Sequence, residues 1–279
     1  MNLAEFFKYL ALGIIQGITE VLPISSSGHV ELFKLILDLQ AEEGVLFLIL
    51  LNSGSLVAFL IFFRKDLAQM IRSFCRYLLK PETREENRKQ FIYVLKLGLA
   101  TLPAMIIGLI FEDAIDQLLI KYGGFLSGIG LMLTATVLLL ISQRRLFLGQ
   151  TEISYRDSLM IVAAQALAIL PGVSRSGLTT SMGLKNGLGV DSTIRFSFLM
   201  YIPISLGSLA LVVRKLFIEG SGVPGNEYYL YYFAAFSAAL LFTCIAFKLV
   251  YPIFKTGKLK YFSFYCFLAG GLSIILSLA

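Results

Sequence analysis

The chain has 279 residues, of which 57% are hydrophobic and only 15% are charged, and its formal net charge is +6. Soluble domains carry about a quarter charged residues, so this composition excludes an ordinary water-soluble fold and, despite the positive charge, a soluble nucleic-acid-binding protein. It favours an integral membrane protein, for which the lipid bilayer acts as the solvent.

The first apolar region, residues 3–37, is too long for one simple membrane span and is interrupted by the stretch LPISSSG. Gln16 and Glu20 lie four residues apart before the interruption, so they share one face of the predicted first helix. Pro23 is expected to end that helix, because proline lacks the N–H group that a helix interior requires. The region therefore predicts two helices joined by a polar turn.

The polar turn contains Ser25, Ser26 and Ser27, and the helix predicted after it contains His29, the single histidine of the chain. N-capping explains one serine here, but not three hydroxyls and a histidine at bilayer depth. A helix N-terminus binds phosphate and other anions, and ionisable groups inside a membrane are functional candidates by default. The turn is a candidate anion-binding site, against the alternative that His29 is a satisfied core residue.

Six charge-poor stretches have the length of about 20 residues that a transmembrane helix needs. They are residues 45–63, 91–111, 123–142, 196–213, 228–247 and 261–279. The predicted fold is therefore an all-α polytopic membrane protein with six transmembrane helices.

A second interrupted apolar region, residues 158–184, contains LPGVSRSG, and Arg175 is its only charged residue. Burying an arginine at the centre of a membrane helix costs about 3 kcal/mol on insertion scales, so a partner must offset that cost. The planar guanidinium group suits phosphate oxygens. An ion pair with Glu20 is the alternative, and the two roles are compatible.

Basic residues concentrate in four connecting segments, at 64–90, 143–157, 185–195 and 251–260. The positive-inside rule assigns these segments to the cytoplasm, which puts both termini outside and makes each interrupted region begin and end on one side of the membrane. Both regions are therefore predicted to be re-entrant helical hairpins, each followed by three spans. Residues 1–142 and 157–279 then form an inverted-topology repeat within a single integral membrane domain.

The two turns together offer a carboxylate, an imidazole, hydroxyls and a guanidinium group, which are the parts of a phosphoryl-transfer site. Gln16 and Glu20 are suited to hold a divalent cation whose remaining ligands are phosphate oxygens, as Mg²⁺ prefers. A site inside the bilayer indicates an amphiphilic substrate with a phosphate head group. The alternative is a carrier that moves a lipid phosphate between leaflets, because broken helices in inverted repeats are also typical of transporters.

Four segments resemble one known family: QGITE, LPISSSGH, PGVSRSGLTTS and RFSFLMYIP. They are similar to the bacterial undecaprenyl-diphosphate phosphatase family, also called the bacitracin-resistance protein family. The resemblance implies hydrolysis of undecaprenyl diphosphate to undecaprenyl phosphate and inorganic phosphate in the bacterial cell membrane. This reaction recycles the lipid carrier for cell-wall synthesis and confers bacitracin resistance. Mg²⁺ is the implied cofactor, with Ca²⁺ as the alternative; the partners are polyprenyl diphosphate and membrane lipids, and a homodimer is compatible with the sequence.

The resemblance also implies roles for individual residues. Gln16 and Glu20 match the family's acidic motif, whose first position is Glu or Gln, and Arg175 matches its phosphate-binding arginine. The other implied phosphate ligands are Ser25, Ser27, Ser174, Ser176 and Thr179. Asn52 departs from the pattern, because glutamine is expected there.

Two mechanisms stay open at this stage. In one, Ser26 attacks the terminal phosphorus atom and His29 takes the serine proton. In the other, His29 attacks directly and forms a phosphohistidine. In both, Glu20 helps to position the metal and Arg175 stabilises the phosphoryl oxygens.

Overall fold

A computed structural model describes residues 2–39, 45–143, 149–214, 228–256 and 258–279. Within these ranges the chain is helical, apart from turns, short connections and one isolated bridge between Gln150 and Leu188. The α-helices are α1 (Leu3–Glu20), α2 (Ser26–Ile36), α3 (Val45–Phe62), α4 (Arg64–Leu79), α5 (Arg84–Ile110), α6 (Glu112–Ser142), α7 (Tyr155–Leu167), α8 (Arg175–Lys185), α9 (Val190–Arg214), α10 (Tyr229–Leu249), α11 (Tyr251–Lys255) and α12 (Leu259–Leu278).

Five helices in the described part of the chain are long and apolar enough to cross a membrane. They lie within α5, α6, α9, α10 and α12, where five of the predicted spans were expected. The remaining predicted span, 45–63, corresponds to α3, which passes the same test only jointly with α4, and the two helices are bent by 71° relative to each other. The chain is thus an all-helical, multi-pass membrane protein.

The sequence predicted residues 64–90 as a connecting segment. In the structure they contain α4 and the start of α5. Hydropathy misses α4 because the helix is amphipathic and rich in arginine. Its apolar face packs on α5, where the rings of Phe74 and Tyr77 stack against Phe91 with centroids 5.2 and 4.0 Å away.

Small residues bring two pairs of helices very close together. A Cβ atom at Gly13 of α1 would lie 2.3 Å from the carbonyl oxygen of Ala235 in α10. A Cβ atom at Gly128 of α6 would lie 2.9 Å from the carbonyl oxygen of Gly270 in α12. Close backbone approach through small residues is how membrane helices gain packing energy without a hydrophobic driving force between them. These contacts fix α1, which packs against α2, and α6, which packs against both α2 and α8.

The helix breaks expected from the sequence are confirmed. α1 ends at Glu20 and α2 begins at Ser26, on either side of Pro23. α7 ends at Leu167 and α8 begins at Arg175. Each pair of short helices is therefore joined by a turn that carries the polar motif.

Candidate active site

The two turns end in helix N-termini with matching side-chain capping hydrogen bonds. Ser25 caps α2 by accepting a hydrogen bond from the N–H group of Gly28 at 3.2 Å, and Ser174 caps α8 by accepting one from Gly177 at 3.0 Å. In both turns the hydroxyl of the serine two positions later lies within 3.4 Å of the capping hydroxyl. The side-chain caps satisfy one orphan N–H group in each helix.

Unusual backbone conformations let the turns contact each other. Ser25 has a φ of 67°, which is rare for a residue with a side chain. Gly172 has a φ of 76°, and a Cβ atom there would lie 2.2 Å from the carbonyl oxygen of Ser127, so only glycine fits. The hydroxyl of Ser176 donates to the carbonyl oxygen of Leu22 at 3.2 Å. The second turn is thereby tied directly to the first.

The carboxylate of Glu20 lies at the centre of this junction. Its Oε2 atom accepts hydrogen bonds from Ser26 Oγ at 2.5 Å and from Gln16 Nε2 at 2.8 Å. Its Oε1 atom pairs with Nη2 of Arg175 at 3.1 Å. The predicted placement of Gln16 and Glu20 on one helix face is thus found, and so is the predicted ion pair between the two turns. The buried arginine charge has the partner that its burial requires.

The polar groups open into a cavity of about 410 Å³. All of the predicted site residues except His29 and Thr179 line it, namely Gln16, Glu20, Ser25, Ser26, Ser27, Ser174, Arg175 and Ser176. Among the described residues that line the cavity, Glu20 is the one carboxylate and Arg175 the one cation. The side chain of Arg175 is 21% exposed, so its guanidinium group is accessible from this space.

Most of the remaining cavity wall is apolar. Met105 and Gly108 of α5, Leu119 of α6, and Ile204 and Gly207 of α9 contribute to it. Ligand sites commonly combine apolar walls with a few convergent polar groups. The cavity is therefore suited to a ligand with an anionic head and a hydrocarbon tail.

The structure does not bring His29 to the cavity. Its imidazole is fully buried, with Nδ1 located 2.7 Å from the carbonyl oxygen of Ser25 and Nε2 located 3.0 Å from the hydroxyl of Tyr265. Because a carbonyl oxygen only accepts, Nδ1 carries the proton and Nε2 accepts from Tyr265. Both ring nitrogens are engaged by the protein, and the Nδ1 contact holds the backbone of the serine turn.

Thr179 also lies apart from the cavity. Its hydroxyl contacts the carbonyl oxygen of Arg175 at 2.8 Å and the hydroxyl of Ser197 at 2.6 Å. These contacts tie the first turn of α8 to α9. They occupy the hydroxyl within the protein, so this geometry gives Thr179 no direct contact with a ligand in the cavity.

Two further residues belong to the site: Asn52, which the sequence marked only as a departure from the family pattern, and Tyr201, to which it assigned no role. Asn52 of α3 lines the cavity, and its Oδ1 atom accepts from Gln16 Nε2 at 3.3 Å. Tyr201 of α9 contacts both Asn52 and Arg175. Asn52 was noticeable as a polar residue within a predicted span. Tyr201 lies in RFSFLMYIP, one of the segments that carry the family resemblance, but an aromatic residue in an apolar helix gave no reason to assign it a role.

The residues present fit a divalent cation that is held by few protein ligands. No group of three His, Cys, Asp or Glu side chains with metal-binding geometry occurs in the described ranges, so the protein alone does not form a full coordination shell there. Glu20 supplies one carboxylate, and the amide oxygen of Asn52 lies nearby, with the Gln16 amide nitrogen donating to both. Mg²⁺ is commonly bound by one or two carboxylates with phosphate oxygens and water as its other ligands.

Comparison with known proteins gives a consistent result along the chain. The sequence profile of the family described as "Bacitracin resistance protein BacA" matches residues 9–272. "Undecaprenyl-diphosphatase 2" of Bacillus thuringiensis (strain Al Hakam) is 40% identical over 96% of both chains. "Undecaprenyl-diphosphatase" of Oceanobacillus iheyensis is 37% identical, and that of Christiangramia forsetii is 35% identical, each over 99% of both chains.

Proposed function

The chain belongs to the bacitracin resistance protein family, and we propose that it hydrolyses undecaprenyl diphosphate to undecaprenyl phosphate and inorganic phosphate. Its relatives named undecaprenyl-diphosphatase match nearly the whole chain. The observation in the site that carries the proposal is the contact of 2.5 Å between Ser26 Oγ and Glu20 Oε2. It supplies a nucleophile together with its base beside the Arg175 guanidinium group.

In the proposed first step, Ser26 Oγ attacks the terminal phosphorus atom while Glu20 accepts the hydroxyl proton. The bond between that phosphorus and the bridging oxygen breaks, and its electron pair leaves with undecaprenyl phosphate. In the second step, water attacks the phosphoserine, the serine oxygen regains a proton, and inorganic phosphate is released. Of the two mechanisms open from the sequence, the geometry supports attack by Ser26 but not the predicted role of His29 as its base. Both His29 nitrogens are engaged by the protein, and the Ser26 hydroxyl contacts Glu20 instead.

The charge that develops on the phosphoryl group is met by preorganised donors. Arg175 uses one N–H group on Glu20 and has others to offer to phosphate oxygens, in the planar arrangement that favours bidentate binding. The N-termini of α2 and α8 add their free N–H groups and positive dipole ends. Ser25, Ser27, Ser174 and Ser176 surround this space. We assign them to orientation of the phosphate rather than to bond breaking.

A divalent cation, Mg²⁺ in the first place and Ca²⁺ as the alternative, would be held by Glu20 with the amide oxygens of Gln16 and Asn52. When bound, it would neutralise charge on the diphosphate. The protein groups act beside it: Gln16 fixes the carboxylate of Glu20 through its hydrogen bond at 2.8 Å.

The polyprenyl chain would leave the polar end along the apolar wall formed by α5, α6 and α9. This wall separates the proposal from hydrolysis of a soluble diphosphate, which would have no need of it. The carrier interpretation uses the same cavity and the same arginine. It assigns no role to a serine hydroxyl that is hydrogen-bonded to a carboxylate, which is why hydrolysis is the better-supported function.

We also propose that residues 1–142 and 157–279 form an inverted-topology repeat in the bacterial cell membrane, with α1–α2 and α7–α8 as re-entrant hairpins and both termini outside. The support is the matching capping hydrogen bonds of Ser25 and Ser174 and the basic composition of 64–90. A native label can test the orientation, because Cys75 in α4 is exposed. With Cys244→Ala throughout, an impermeant maleimide should label Ala279→Cys in intact cells and should label Cys75 only after permeabilisation. The reverse pattern would contradict the orientation.

The function itself is tested by release of inorganic phosphate from undecaprenyl diphosphate by the purified protein in detergent. Release should depend on Mg²⁺ and stop with EDTA, and undecaprenyl phosphate should be the lipid product. Gln16→Ala should raise the Mg²⁺ concentration needed for half-maximal rate. Lipid binding without any phosphate release, in the presence of metal, would favour the carrier.

A further inference from the structure

Tyr201 lies on α9, where it faces the junction of the two turns, and its side chain is fully buried. The face of its ring lies against the guanidinium group of Arg175, with Cζ located 4.5 Å from the ring centroid. Its hydroxyl donates to Asn52, with distances of 2.5 Å to Oδ1 and 3.1 Å to the backbone oxygen. One side chain therefore contacts both the cation of the site and the amide of α3.

These contacts close a ring of side chains around the polar end of the cavity. Tyr201 holds Asn52, Asn52 accepts from Gln16, and Gln16 donates to Glu20. Glu20 pairs with Arg175, whose guanidinium group returns to the face of Tyr201. The ring joins α1, α3, α8 and α9, and Tyr201 is its only member from α9.

The ring fixes the guanidinium group in two independent ways. The carboxylate of Glu20 accepts from Nη2 at 3.1 Å, and the Tyr201 ring lies against Cζ, with 4.5 Å between Cζ and the ring centroid. A cation within about 6 Å of an aromatic centroid is attracted to it, and more strongly where water is excluded, as it is around this fully buried tyrosine. The orientation of Arg175 toward the cavity is thus set before a ligand enters.

We propose that Tyr201 is a positioning residue of the active site: it orients Arg175 for the terminal phosphate through its ring and holds the Asn52–Gln16–Glu20 chain through its hydroxyl. It acts on the substrate only through these residues. The effect on the rate of phosphate release rests on the proposed phosphatase function. The effect on the affinity for inorganic phosphate does not.

The chain offers a matched control for simple packing. Phe198 lies one turn earlier on α9, is equally buried, and packs against Phe59 as Tyr201 does. Neither side chain lines the cavity, so the two differ in the contact that Tyr201 makes with Arg175. Phe198→Leu removes more ring contacts from this helix than Tyr201→Leu does, so it is a stringent control for packing. Only Tyr201→Leu removes the contact with Arg175.

The experiment measures phosphate release by the purified variants in Mg²⁺, together with their thermal unfolding and their affinity for inorganic phosphate by calorimetry. Tyr201→Leu should lower kcat/KM at least ten-fold and weaken phosphate binding, whereas Phe198→Leu should stay within two-fold at an equal melting temperature. Tyr201→Phe, which keeps the ring and is close to the native shape, should lose only two- to five-fold. In an Arg175→Lys background, Tyr201→Leu should cause no additional loss of phosphate affinity.

Equal losses for the two leucine variants, or additive losses with Arg175→Lys, would overturn the inference and leave Tyr201 as packing. If Tyr201→Leu does not fold, wild-type kinetics for Tyr201→Phe would still refute the role of the hydroxyl, and Tyr201→Met tests the ring. A wild-type protein that binds phosphate but releases none would instead refute the proposed function. The phosphate affinities of Tyr201→Leu and Phe198→Leu would then still show whether Tyr201 positions Arg175.

Discussion

The imidazole of His29 stacks on the ring of Tyr265, with centroids 5.3 Å apart and planes inclined by only 7°. This stack, together with the hydrogen bond from the Tyr265 hydroxyl, directs the histidine toward α12 and away from the cavity. The opposite ring nitrogen holds the carbonyl oxygen of Ser25, at the residue whose φ is 67°. His29 therefore stabilises the conformation of the serine turn.

The first prediction follows from this arrangement. His29→Ala should reduce phosphate release by roughly one to two orders of magnitude, through loss of a buried polar contact and of a packed ring. Tyr265→Phe removes only the donor to Nε2. It should lower phosphate release by a factor of roughly five, which corresponds to about 1 kcal/mol. Trapping of phosphoenzyme with ³²P-labelled substrate should give an acid-stable phosphoserine. An acid-labile phosphoenzyme that disappears in His29→Ala would show instead that the histidine is the nucleophile.

The second prediction concerns Ser26 and its base. Ser26→Ala should abolish turnover, because the covalent route then has no nucleophile. Glu20→Gln should lower kcat by about 10²- to 10⁴-fold, the range expected for a general base. Both variants should still fold. Their circular dichroism and their elution in detergent, which report on the helices, should therefore match those of the wild type. Ser53→Ala is the matched control: among the described residues its buried hydroxyl bonds to the carbonyl oxygen of Ile49 alone, and the rate of the variant should equal that of the wild type.

Much of the architecture and part of the site could be predicted from the sequence. Hydropathy predicted the long spans, because lipid-facing helices must be apolar. Pro23 and the serine and glycine clusters indicated the helix breaks. The ion pair between Glu20 and Arg175 was one of two roles that the sequence left open for the arginine, since a charge at that depth needs a partner. The two turns could be assigned for these reasons.

Other features depend on tertiary contacts that no local pattern encodes. The direction of the His29 ring is set by Tyr265, a residue 236 positions away. The hydroxyl of Thr179 is taken by Ser197, so its presence in the motif did not reveal its orientation. α4 was missed for a different reason: its amphipathic periodicity was present in the sequence, but a search for spanning segments ignores it.

The third prediction tests the apolar wall. Gly108 lines the cavity, and a Cβ atom there would meet nothing within 4 Å, so a larger side chain can enter the empty space without a clash. Gly108→Leu should raise the KM for undecaprenyl diphosphate several-fold, and should affect a short-chain diphosphate such as farnesyl diphosphate much less. Phosphate release from the two substrates measures the difference.

Gly98 gives the control for that experiment. It lies on the same helix, α5, and its Cβ position is equally open, but it does not line the cavity. Gly98→Leu introduces the same change in helix propensity and should leave both KM values unchanged. Equal effects of the two substitutions on both substrates would argue against a tail-binding wall at Gly108.

The last prediction separates backbone strain from steric clash in the second turn. Gly172 and Gly187 both have positive φ values, of 76° and 87°. A Cβ atom at Gly172 would lie 2.2 Å from the backbone oxygen of Ser127, whereas one at Gly187 would have nothing within 4 Å. Gly187→Ala should therefore cost only the conformational term of about 1–2 kcal/mol. Gly172→Ala must in addition push the second turn away from α6, and overpacking of this kind costs typically about 1–3 kcal/mol more.

Because the displaced turn carries Ser174, Arg175 and Ser176, the two alanine variants should also differ in function. Gly172→Ala should lose phosphate release even at temperatures where the protein remains folded. The guanidinium group of Arg175 would no longer pair with Glu20 at the present distance of 3.1 Å. Gly187→Ala, beyond the C-terminal end of α8, should retain a near wild-type rate per folded molecule. Thermal unfolding in detergent and specific activity, measured on the same samples, distinguish the two effects. Equal melting temperatures and equal rates would mean that the turn tolerates the extra methyl group and that its contact with α6 does not position the arginine.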